Sequence, residues 1–134
     1  GKAVLYRHAP GHYPAMLRAA SSDVELVQLE HTAFGVSHDA LGAALCESWG
    51  LAPASVASVR HHVQVQDDMS MPEALQRRGV LAISTLAWLL MNQPERLEEA
   101  VLQLAPQAQL DETLVLRAAR RVAEQLNEAE SRGR

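Results

Sequence analysis

The 134-residue sequence holds a single cysteine, Cys46, so no internal disulfide framework can form, and that count fits a reducing compartment. Cys46 sits in a helical pattern with no evident activating base, and a small buried hydrophobe is its ordinary role. Aromatic residues make up only 4%, which leaves the core to Leu, Val and Ala, and Ala and Leu favour helices. No segment alternates with period two for long enough to be a strand. Basic residues are not concentrated either. The net charge is −4, and Arg117, Arg120 and Arg121 share their helix with Glu112, Glu124 and Glu128. That mixture reads as a solvated face, and it argues against nucleic acid as a partner. The longest apolar run, Gly79 to Met91, is broken by Ser84 and Thr85 and is too short for a bilayer, and no signal peptide is visible. The expectation is a cytoplasmic protein without a membrane partner. A glycine-rich phosphate loop and internal repeats are also missing.

What is present is helical punctuation. Hydrophobic residues at 48% against 21% charged mark a folded chain, and the length suits one domain over residues 1–134. Gly1 to Arg7 reads as the end of an element, and Pro14 sits in the first turn of a short helix through Ala20. Ser22 and Glu25 have capping-box spacing, opening a helix with Val24, Val27, His31 and Phe34 on one face and a stop at Gly35. Ser37 is placed to cap the next helix, which Gly50 ends. There Leu41, Leu45 and Trp49 predict a buried stripe that His38 starts, while Gly42 lets a neighbouring backbone approach.

Pro53 predicts a shorter helix with Val56 and Val59, delivering His61 and His62 near its end before a mobile polar loop from Gln64 to Ser70. Ser70 and Glu73 predict the start of a long central helix with Leu75, Val80, Ile83, Leu86 and Leu90 inward. Leu97, Val101 and Leu104 form the inner face of a helix from Glu95. Asp111 caps the last helix, whose stripe is Leu114, Ala118, Val122 and Leu126, and the polar tail is expected to fray, with residues 131–134 set apart. The sum is an all-α, compact orthogonal multi-helix bundle.

From Glu30 to Pro53 the chain reads E-x4-G-V-x-H-D-x-L-G-A-A-L-x-x-x-W-G-L-x-P, and an eight-residue step then leads to His61 and His62. This pattern resembles the core signature of the HDOD domain, a relative of the HD-type phosphohydrolases. So many positions in order are far more specific than one short motif. Gly1 and Lys2 resemble the end of an H-D-x-G-K segment, and residues 104–130 resemble the closing helices of that domain. The resemblance implies the later part of an HD-related fold, with residues 1–66 as signature and 67–130 as closing helices. It also implies a bacterial signalling module, attached to other regulatory domains and lacking hydrolase activity.

The related hydrolases hold metal ions through an early His, a His-Asp pair and a later Asp, and the HD-GYP branch adds histidines at positions resembling His38, His61 and His62. A dication that lowers the pKa of water needs carboxylates to hold it. The sequence has no His-Asp pair at the early position, Ile83-Ser84-Thr85 stands near the later Asp, and Val63 follows the two histidines where the HD-GYP branch has Glu. Neighbouring helical residues also point about 100° apart, so His61 and His62 rarely reach one ion. A packing role for His38 and helix-end roles for His61 and His62 therefore take precedence over a metal site. The expectation is no catalytic residue, no metal and no cofactor. His38, Trp49, Arg60, His61 and His62 are the candidates for binding a partner or ligand. The partners would be other signalling domains or proteins, with a second copy of the chain among them. The rivals are a metal-dependent phosphohydrolase with further ligands upstream, and an oligomerising helical adaptor.

Overall fold

The computed structural model describes residues 1–134. All regular structure is helical: eight α-helices and one 3-10 turn, with no strand. The chain divides into two compact units, Gly1–Asp67 and Asp68–Arg134. None of its helices is long and apolar enough to cross a membrane.

The first unit contains α1 (Lys2–His8), α2 (Tyr13–Ala19), α3 (Asp23–Phe34), α4 (His38–Ser48) and α5 (Pro53–Asp68). The α3 start follows its cap: Ser22 Oγ accepts the Glu25 amide at 3.1 Å. Glu25 reaches back one residue further than a capping box requires, accepting the Ser21 amide at 2.7 Å. Gly35 ends α3 with φ 71°, the left-handed turn that glycine adopts without strain. The buried face of α3 is Leu26 and Glu30, whereas His31 is exposed.

The stripe expected on α4 also shifts. His38, Gly42 and Ala43 are buried, and Trp49 is 70% exposed. Gly50 is left-handed at φ 75°, and the chain turns with Trp49 at the helix's C-cap rather than in its interior. Gly42 does permit close approach, since a Cβ there would meet Val59 Cγ1 at 3.1 Å and the Gly1 nitrogen at 3.4 Å.

The helix α5 runs to Asp68, well past the end expected from its polar tail. Between Pro53 and Asp68 there is no glycine or second proline, and Gln is a good helix former, so polarity alone does not stop it. Val63 and Val65 are buried on this extension. His61 and His62 therefore lie in the helix interior, and the C-terminal dipole does not account for them.

In the second unit, α6 (Arg78–Asn92), a 3-10 turn (Pro94–Arg96), α7 (Leu97–Gln107) and α8 (Glu112–Arg132) pack around Leu81, Leu89, Val101 and Leu104. The α6 helix starts at Arg78 rather than after Ser70. The Ser70 amide is held by Asp68 Oδ1 at 2.9 Å, and Met69 is left-handed at φ 56°. Gln107 then clamps the segment: its Oε1 accepts the Met71 amide at 2.9 Å and its Nε2 donates to the Met69 carbonyl at 2.9 Å. These side-chain bonds give the backbone an alternative to helix. The register moves with the start, so that Leu81, Ala82, Thr85, Leu86 and Leu89 are buried while Val80 and Ile83 are exposed.

Leu97, Val101 and Leu104 are buried as the α7 spacing predicts. Asp111 Oδ1 accepts the Leu114 amide at 2.7 Å, capping α8. Asp111→Ala should cost about 1 kcal/mol, the ordinary value of an N-cap, measurable by denaturant unfolding. The helix continues to Arg132 instead of fraying at Glu130, and its Leu114–Leu126 stripe faces solvent.

Candidate functional site

Three side chains from three helices meet inside the first unit. Glu30, on the last turns of α3, is fully buried, as is Tyr13 at the start of α2, and His38 opens α4 at 4% exposure. The left-handed Gly35 folds α4 back so that residues eight apart face each other. Glu30 Oε2 accepts the His38 backbone amide at 2.7 Å, and His38 Nδ1 lies 2.7 Å from the same oxygen and 3.0 Å from Oε1. The Tyr13 hydroxyl donates to Glu30 Oε1 at 2.5 Å.

One carboxylate thus serves as helix cap, imidazole anchor and phenol acceptor. The expected cap, Ser37, makes no side-chain capping bond, because Glu30 has taken the amide. A buried carboxylate is tolerated only when its oxygens are satisfied, and here three donors converge on them. Burial, then the hydrogen bond and charge of Glu30, push the Tyr13 pKa well above the usual phenol range, so the ring stays a donor. Tyr13 also packs against Phe34, with ring centroids 6.3 Å apart.

Because a carboxylate accepts, Nδ1 of His38 carries the proton, which leaves Nε2 buried without a protein hydrogen-bond partner. The His62 ring stands edge-on to it at 5.6 Å between centroids. His62 is turned back on its own helix, with Nδ1 2.6 Å from the Val59 carbonyl oxygen. His61 diverges from its neighbour and, with Glu47, Leu51, Val56 and Arg60, lines an open groove between the end of α4 and α5. The sequence-level candidates therefore separate. His38 and His62 come together inside, Arg60 and His61 border the groove, and Trp49 is exposed at the end of α4.

The metal-binding reading does not fit these residues. Nowhere in the chain do three His, Cys, Asp or Glu side chains assemble in a way that could hold a metal ion. Glu30, the one buried carboxylate, is already engaged by His38 and Tyr13. Sequence reasoning missed the roles of Tyr13 and Glu30. The available signal was an acidic residue on the same α3 face as Leu26, just before a glycine turn.

Burial lowers the His61 pKa from its ordinary value, the Arg60 charge adds to that, and Asp39 opposes it. Folded His61 then binds fewer protons than unfolded His61 just below pH ~6.5. Its contribution to stability is present above that pH and is lost as pH falls through the folded value. His61→Gln should flatten this part of the stability–pH curve, and chemical denaturation at a series of pH values would show it.

Comparison with known families matches residues 1–65 to the model of the HDOD domain. No curated protein and no solved structure matches the chain.

Proposed function

From the match of residues 1–65 to the HDOD domain family, we propose that the protein is a non-catalytic regulatory module of bacterial signal transduction. It acts in the cytoplasm by binding other signalling domains or proteins. The observation that carries this reading is Trp49, held 70% in solvent and lying in the chain between Glu47 and the 43% exposed Leu51, two residues that line the groove with Arg60 and His61. Exposed aromatics and arginines are enriched in contact surfaces, and exposing a tryptophan without a partner has no stabilising purpose. The Tyr13–Glu30–His38 cluster braces the elements that carry this face. Occupation of the face by a partner would shift the populations of arrangements of attached domains, in proportion to its differential affinity.

Two consequences are measurable. Trp49→Ala should change unfolding free energy by less than about 0.5 kcal/mol, as for other exposed positions. It should nonetheless weaken partner binding by about 2 kcal/mol or more, abolishing signalling output in a complementation assay. The competing reading, a phosphohydrolase, is tested by incubating the purified protein with bis(p-nitrophenyl) phosphate and manganese. The expected result is no turnover above buffer. Turnover that His62→Ala abolishes would overturn the proposal.

A further inference from the structure

A separate surface, on the last helix, is also without a partner. Val115, Leu116, Ala119 and Ala123 are the half-buried residues of α8, which packs on α6 and α7. Apart from exposed Gln125 and the terminal Arg132, the adjoining face is apolar and uncovered: Leu114 is 62% exposed, Val122 43% and Leu126 43%, with Ala118 and Ala129 exposed beside them. At 100° per residue these five span an arc of about 120°. Along one edge of that arc run Arg117, Arg121, Glu124 and Glu128, two cations followed by two anions. Arg117, Arg121 and Glu124 make no ion pair, and Glu128 has only a loose exposed contact with Arg132 at 3.8 Å.

We propose that α8 pairs with α8 of a second copy of this chain, antiparallel, with Val122 opposite its own counterpart. The order of charges selects this occupant and this direction. In an antiparallel two-fold pair, each flank meets the same flank of the other copy, reversed. Counting outward from Val122, Arg121 then faces Glu124 and Arg117 faces Glu128, each to within one residue. In the same register Leu126 faces Ala118, and Leu114 faces Ala129 to within one residue, so each large side chain meets a small one, as interdigitated packing requires. A parallel pair would turn the charged flank toward the other edge of the stripe, where Ala119 and Ala123 already pack within their own unit.

Sedimentation velocity of the full chain across concentrations, in a Cys46→Ala background, reads the result. The expected species is a dimer, and Val122→Glu, which opposes two carboxylates at the two-fold, should raise the dimer Kd by about tenfold or more. Arg121→Glu or Glu124→Arg alone should raise it about fivefold, while the double swap restores it, because the exchanged charges still face each other. Under mild oxidation Val122→Cys should cross-link to itself, and Leu114→Cys should not, its two copies lying more than ~20 Å apart. Circular dichroism at low concentration checks that each variant is folded. A wild-type monomer at every concentration overturns the proposal, as does equal self-cross-linking at both positions. Binding of a monomeric chain to anionic vesicles through this stripe would equally overturn it.

Discussion

Glu30→Ala should destabilise the protein by about 3–5 kcal/mol, since it strands three buried donors at roughly 1–3 kcal/mol each. For a unit of this size that corresponds to a fall in Tm of roughly 15 °C or more. The reason lies in what remains. The His38 amide, the His38 Nδ1 proton and the Tyr13 hydroxyl all point at Glu30, and each depends on it as its acceptor. Alanine leaves these donors buried and unpaired, which costs more than the lost bonds themselves contributed. Glu30→Gln keeps the volume but turns one acceptor into a donor facing donors, so a smaller loss, about 1–3 kcal/mol, is expected. Tyr13→Phe removes both a donor and its demand and should be the mildest of the three. Urea unfolding of the series checks the ranking, and equal effects for Glu30→Ala and Tyr13→Phe would contradict it.

Leu104→Ala is the second large effect. Leu104 is fully buried in the second unit with Leu81, Leu89 and Val101 around the same core. Truncation removes the burial of three carbons and leaves a cavity that a close-packed interior cannot collapse, a loss of about 2–5 kcal/mol. Leu102, two residues earlier and 57% exposed, is the internal control, and Leu102→Ala should fall within about 0.5 kcal/mol of the parent. Fluorescence of the half-buried Trp88 follows this unit, since Trp49 is already in solvent. The intact chain should show the difference as a shift in urea midpoint at constant slope.

Helix type and most helix ends were legible because glycine, proline and capping residues act locally. Gly35, Gly50, Pro14 and Asp111 do in the structure what their chemistry predicts. The failures share a cause, which is that a distant side chain outbids a local signal. Glu30 displaced Ser37 as the cap of α4, and Gln107 held Met69 and Met71 out of a helix that Ser70 and Glu73 could have opened. Period alone also misjudged the α4 stripe, since Trp49 lies at the C-cap where the helical repeat no longer decides direction. The candidate site was legible in part. His38 was placed inside from its spacing to Leu41 and Leu45, but its partner carboxylate required knowing how Gly35 returns the chain.

The physical claim beneath the functional reading is that Glu30 is committed to bracing α4 and is not available for chemistry. Hydrogen exchange at the His38 amide tests it directly. An amide in the first turn of a helix has no intrahelical acceptor and ordinarily exchanges fast. Bonded to a buried carboxylate at 2.7 Å, this one should exchange only with the most protected core amides of its unit. Exchange at the rate of an exposed helix start would show the carboxylate to be free, and would contradict the account.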